Sequence, residues 1–211
     1  MPFTPHTNDA LLVIDPQKDF CPGGSLAVRD GDMIMPAIAA LAPAFAHVVV
    51  TQDWHPTGHS SFASSHADAT PFSTIAMPYG EQVLWPDHCV QGSDGAGFHP
   101  AIAPAVARAG MILRKGHNAR IDSYSAFREN DRTTPTGLAG YLRDVGATRC
   151  VLVGLAYDFC VGWSALDAIE HGFEAVVLHD LTRAIAMPLA DGGTTVDETE
   201  ARFAAAGVVL A

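Results

Sequence analysis

Five short runs of Val, Ile and Leu recur along this chain, at Ala10–Ile14, His47–Thr51, Met111–Arg114, Cys150–Val153 and Glu174–Leu178, and a sixth, Val208–Leu210, ends it. They are continuously apolar rather than alternating, which predicts strands covered on both faces, the habit of a parallel sheet. Helix-length segments separate them, at Asp32–Ala46, Pro100–Ala109, Gly137–Val145, Val161–His171 and Asp197–Ala206. This alternation predicts an α/β fold: a three-layer α/β/α sandwich around a mostly parallel, doubly wound sheet of about six strands, with right-handed crossovers. A chain of 211 residues fits one such domain, spanning 1–211, and is long enough to bury a sizeable core.

Two segments break the rhythm. Asp53–His99 is long and rich in Ser, His, Pro and Gly, and Gly116–Pro135 is shorter and polar. Loops of that length inside a compact domain are usually functional. The net charge of −11 and the absence of any Lys/Arg cluster argue against nucleic acid or an anionic membrane as partner. No apolar run approaches membrane-spanning length and the N-terminus lacks a signal-peptide pattern, so a soluble cytoplasmic protein is expected. The cysteines Cys21, Cys89, Cys150 and Cys160 are irregularly spaced and read as reduced thiols.

In an open parallel sheet, ligands bind beyond the carboxyl ends of the strands. Asp15, Asp53 and Lys115 each follow such a run, and Cys160 follows the fourth run after a short loop. Cys160 also precedes Val161–Ile169, whose spacing reads as an amphipathic helix, and a sulfur at a helix N-terminus is biased toward thiolate. A buried cysteine more often only packs, and a single carboxylate at a strand end is commonly a turn residue. The set is harder to explain that way. Asp15 can take the thiol proton and Lys115 can stabilise the anion, which suits covalent attack on a carbonyl. A second constellation is Asp53-Trp-His55, followed by His59, His66 and Trp85-Pro-Asp-His88-Cys89. Asp-x-His puts both side chains on one side of an extended segment, and a further loop histidine can complete a facial metal set. Such ligands suit Zn, Fe or Mn alike. His66 and His99 read as ordinary loop histidines, while Phe20, Trp54, Trp85, Tyr124 and Phe127 offer walls for a small planar substrate.

Six segments, in this order, resemble the cysteine hydrolases of the isochorismatase-like superfamily, and within it the nicotinamidase/pyrazinamidase group. They are Val13-Ile-Asp-Pro-Gln-Lys-Asp-Phe20 with Pro22-Gly-Gly-Ser25, Thr51-Gln-Asp-Trp-His-Pro56 with Ser61-Phe62, Trp85-Pro-Asp-His-Cys-Val-Gln-Gly92, Arg114-Lys-Gly116, Asp122-Ser-Tyr-Ser-Ala-Phe127 and Gly154-Leu-Ala-Tyr-Asp-Phe-Cys-Val161. The resemblance covers almost the whole chain. It implies a catalytic triad of Asp15, Lys115 and Cys160, and one divalent metal on Asp53, His55 and His88, with zinc the first expectation and iron or manganese the alternatives. It implies a cis peptide between Leu155 and Ala156, and an oxyanion hole from the N–H groups of Ala156 and Cys160. Phe20, Trp85 and Tyr124, with Leu155 and Ala156, would form the substrate site.

Some relatives carry a histidine further along the loop after Asp-x-His, whereas here His59 is closer and Ser61 follows. His59 is therefore a candidate fourth ligand, with water the alternative. The expected activity is hydrolysis of nicotinamide to nicotinate and ammonia, in NAD salvage, with pyrazinamide as a further substrate. The partner is then a small amide, and a homo-oligomer stays open. Competing readings are a metal-only hydrolase with an inert Cys160, a binding module for a planar ligand, and an N-carbamoyl amide or isochorismate hydrolase. The last group generally lacks the metal set.

Overall fold

The computed structural model describes residues 3–190 and 192–211. In chain order the regular elements are β1 (Asp9–Ile14), α1 (Met35–Leu41), β2 (His47–Asp53), β3 (Thr74–Met77), β4 (Gly80–Val83), α2 (Ala103–Arg108) and β5 (Met111–Lys115). There follow α3 (Leu138–Asp144), β6 (Arg149–Leu155), α4 (Gly162–Glu170), β7 (Glu174–Arg183), α5 (Thr195–Ala206) and β8 (Val209–Leu210). The six expected strands form one sheet in the order β5-β2-β1-β6-β7-β8. Every ladder in it is parallel.

The unbroken apolar runs have a direct explanation in the layers. Leu11 and Val13 of β1, Val48 and Val50 of β2, and Val151 and Val153 of β6 pack with Met35 and Ile38 of α1 and Ala105 of α2. Their neighbours Leu12, Val49 and Leu152 face the other way, onto Leu138 and Leu142 of α3, Ala165 and Ala168 of α4 and Phe203 of α5. Both faces are therefore covered, and neither has a use for polar residues. The result is the expected three-layer sandwich.

Two helices are shorter than their segments predict. α1 starts only at Met35, with Pro36 beside its first position, and ends in a 3-10 turn at Ala42–Ala44 that contains Pro43. α2 is likewise preceded by a 3-10 turn at Pro100–Ile102, and Pro104 sits in its first turn. Proline removes a backbone donor and clashes with the preceding turn, so each helix begins where its proline allows. The segment 53–99, expected as loop throughout, contains the antiparallel hairpin β3–β4.

β1 and β6 are neighbours, and the chain winds outward from them in opposite directions. That junction is the switch point of the sheet, where a crevice opens beyond the strand ends. At this point Gly154 comes so close to β1 that a Cβ would lie 2.1 Å from the Ile14 carbonyl oxygen, and its φ is +110°. Only glycine fits there. Among the described residues no helix is long and apolar enough to cross a membrane.

Candidate active site

Lys115, the last residue of β5, reaches across the strand ends with its side chain fully buried. Its ammonium nitrogen lies 2.8 Å from Asp15 Oδ2 and 3.0 Å from Asp53 Oδ1. It donates to the Ser123 carbonyl at 3.0 Å and to Cys160 Sγ at 3.4 Å. One ammonium thus serves four partners with three protons. Asp15, at the end of β1, is also buried and held from the other side. Thr51 Oγ1 donates to Asp15 Oδ1 at 2.6 Å and accepts from the Asp15 backbone N–H at 2.9 Å. Asp15 Oδ2 has the charge of Lys115 beside it but no well-directed hydrogen bond. The Asp15 backbone is in the left-handed region, with φ +44°, a conformation that a non-glycine residue adopts only when its surroundings impose it.

Cys160 lies within a π-helical turn, Tyr157–Val161, that runs directly into α4. The helical segment therefore starts earlier than Val161, and Cys160 is inside its first turn rather than ahead of it. Burial opposes the thiolate bias expected from that position. Burial raises the thiol well above its ordinary pKa, and the charge of Lys115 offsets this only in part because Asp15 and Asp53 oppose it. Burial thus favours the thiol form of Cys160, whose sulfur accepts from Lys115. Burial also raises the Asp15 carboxyl, against the pull of Lys115 and with the push of Asp53. Lys115 would be lowered by burial, but the two carboxylates hold it well above the usual range. Charge therefore stays on the lysine.

The metal candidates meet beside this group. Asp53 Oδ2 lies 2.9 Å from His55 Nε2 and 3.4 Å from His88 Nε2. The other ring nitrogens face carbonyl oxygens, His55 Nδ1 that of Gly116 at 2.9 Å and His88 Nδ1 that of Pro86 at 2.8 Å. A carbonyl only accepts, so each Nδ1 carries a hydrogen and each Nε2 is turned toward Asp53. Without an ion, burial would lower the His55 pKa, but the charge and hydrogen bond of Asp53 hold it above its ordinary value. The set fits a divalent ion. Gly116 makes this approach feasible: at φ +67° a Cβ would sit 2.5 Å from the His55 ring.

His59 is adjacent to His55, with ring centroids 4.4 Å apart. Its Nε2 faces the Asn118 carbonyl at 2.8 Å and its Nδ1 the Ser61 hydroxyl at 2.8 Å, so both nitrogens are engaged. His66 bonds the Ser60 carbonyl and His99 caps the turn at Pro100, both structural uses.

A narrow cavity of about 20 Å³ opens over Cys160, lined by Phe20, Trp85, Tyr124 and Ala156, together with Asp53 and His88. Leu26, Asp122, Phe159 and Ile185 also line it. The residues themselves gave no signal for Leu26 and Ile185; the place of Phe159 beside Cys160 could have found it. Leu155 does not line the cavity; its side chain is fully buried in the core of the α1–α2 face, and only its carboxyl neighbour reaches the pocket. The peptide between Leu155 and Ala156 is cis. Trp54 and Phe127 stay outside: Trp54 stacks under Arg114 at 3.9 Å, and Phe127 is in the core on the α3–α5 face.

Residues 9–201 match the family model described as the isochorismatase domain. A nicotinamidase of Acinetobacter baylyi is 52% identical over 180 residues, covering 85% of this chain and 83% of its own. A solved nicotinamidase/pyrazinamidase of Acinetobacter baumanii superposes with a TM-score of 0.91 at 47% identity, covering 97% of this chain and 96% of its own. A pyrazinamidase of Pyrococcus horikoshii, solved in complex with zinc, superposes with a TM-score of 0.75 at 31% identity, covering 97% and 98%. With its family motifs placed around one pocket and its whole sheet superposing on these enzymes, this chain belongs to the isochorismatase family.

Proposed function

We propose that this protein hydrolyses nicotinamide to nicotinate and ammonia through a thioester on Cys160, within a single domain, and that pyrazinamide and similar ring amides are further substrates. The observation that carries the reading is the 3.4 Å contact of Cys160 Sγ with Lys115 Nζ, itself 2.8 Å from Asp15 Oδ2, beneath a cavity walled by Phe20, Trp85 and Tyr124. The names of the relatives point to the same substrate class.

Because Cys160 rests as a thiol, attack and proton transfer go together. Asp15 accepts the proton as the sulfur bonds to the amide carbon, and Lys115 balances the charge that builds up. In this reading the N–H groups of Ala156 and Cys160 donate to the tetrahedral oxyanion. Asp15 returns its proton to the amine, the C–N bond breaks and ammonia leaves. A water then gives a proton to Asp15 and adds to the thioester, which releases the acid and restores the thiol. Phe20, Trp85 and Tyr124 hold the ring so that its carboxamide stays over the sulfur. A divalent ion on Asp53, His55 and His88, zinc in this reading with iron or manganese as alternatives, supplies a Lewis acid suited to the lone pair of a pyridine nitrogen.

Ammonia release from nicotinamide, measured before and after chelation and again after metal add-back, tests both halves. Activity lost on chelation and recovered with Zn²⁺ is expected. No ammonia from nicotinamide in the metal-loaded protein would refute the substrate, and full activity after complete metal removal would refute the anchor.

A further inference from the structure

Asp122 lies outside the mechanism above and yet is a buried carboxylate, 2% exposed, in the wall of the same pocket as Asp53 and His88. Its hydrogen bonds come only from neutral donors. Gln82 Nε2, reaching in from β4, donates to Oδ2 at 3.0 Å, and the Ser123 backbone N–H donates to Oδ1 at 2.8 Å. Among the described residues no lysine or arginine pairs with it. A buried carboxylate without a cation is costly. Among the described residues Lys115 pairs with Asp15 and Asp53 and not with Asp122.

The position of Asp122 relative to the metal set is specific. One ligand atom each from Asp53, His55 and His88 lie within 4.8 Å of one another, and Asp122 forms such a group with His55 and His59, but not with Asp53 and His88. It is close enough to share the field of an ion in the first set and too far to join it. Three protein donors leave coordination positions for water or substrate. His59 cannot take up that water readily, since both its nitrogens are engaged. Each oxygen of Asp122 keeps a lone pair beyond its one hydrogen bond.

We propose that Asp122 accepts hydrogen bonds from the water ligands of the divalent ion held by Asp53, His55 and His88, and so sets how tightly that ion is kept without touching it. The inference rests on the metal reading above. Gln82, the buried residue of an otherwise exposed hairpin strand, then acts as a positioning residue that aims Asp122.

The test is Zn²⁺ affinity, measured by competition with a chromophoric chelator, for the wild type, Asp122→Asn and His88→Ala, together with the visible absorption of the Co²⁺-loaded proteins. Asparagine keeps an acceptor for Gln82, and Asp122→Ser repeats the measurement if the amide is not tolerated. Asp122→Asn should weaken Zn²⁺ binding about 10- to 100-fold while the Co²⁺ bands keep their wild-type shape, because no ligand has changed. His88→Ala should alter those bands. An affinity within about twofold of wild type for Asp122→Asn would overturn the inference and leave the metal site standing. Co²⁺ bands altered as in His88→Ala would make Asp122 a direct ligand and overturn it equally. A wild type that holds no stoichiometric Zn²⁺ removes the metal reading and this inference with it.

Discussion

Asp15 and Asp167 are both fully buried carboxylates facing cations, yet they are built for opposite purposes. Asp167, on α4, is gripped by two arginines: Arg132 donates to both its oxygens, at 3.1 Å and 2.6 Å, and Arg128 Nε lies 3.3 Å from Oδ2. Glu170 ties the same two guanidinium groups at their outer edge. Planar forks of fixed charge meet a planar acceptor, and no proton can leave either arginine. Asp15 faces instead a single lysine ammonium divided among several partners, with one oxygen lacking a directed hydrogen bond and a thiol within reach. Burial and charge pairing are common to both sites. What separates the reactive one is a carboxylate oxygen without a directed hydrogen bond, which leaves a place for a proton to move.

The comparison breaks most visibly at the sulfur. Cys160→Ala should reduce ammonia release by about 10⁴-fold or more, while a ring amide still raises the melting temperature of the variant because the pocket walls remain. Substantial turnover in Cys160→Ala would return the metal-only reading. At the opposite site, Asp167→Asn should cost about 2 kcal/mol of unfolding free energy, below the range for a fully buried pair because Arg132 is partly exposed. Its kcat per folded molecule should stay within about twofold of wild type. Denaturant unfolding together with ammonia assays checks this, and a large loss of kcat at unchanged stability would erase the distinction drawn here.

The smallest effect concerns pH. Burial holds the Cys160 thiol protonated well above its ordinary range, so alkylation of Cys160 by iodoacetamide should rise about tenfold per pH unit through the alkaline range. The sign follows from the thiolate being the nucleophile: a raised pKa postpones its appearance to higher pH. Peptide mass spectrometry across pH would read it, and a plateau already at neutral pH would mean a preformed thiolate. Cys150, pushed up to about 12 by burial and by the charge of Asp9, with no lysine beside it, is the internal reference that should stay unmodified longest.

Much of the fold was legible because doubly covered strands must be apolar at every position, as in Leu11–Ile14 and Val48–Val50. The hairpin β3–β4 was not, since its four-residue strands, largely exposed or half-buried, resemble loop in composition; Gly80 and the partial alternation of Ile75, Met77 and Val83 were the available signals. Gln82 and Asp122 went unread as a pair for the same reason, because a polar residue in a polar loop does not announce that it is buried. At Cys160 burial and two carboxylates act on the sulfur against the helix dipole, a balance that position in the sequence does not weigh.

By itself the sequence determined the layered sheet, the strand ends at which Asp15, Asp53 and Lys115 fall, and the residue types capable of thiol and metal chemistry, since these follow from periodicity and from functional groups that the chain carries locally. Only the tertiary structure decided which of these groups lie in contact, how the histidine rings are turned, and which carboxylate is left without a lysine or arginine. Those properties depend on distances across 36 to 62 residues of chain, and on a water-poor interior that magnifies every charge placed in it.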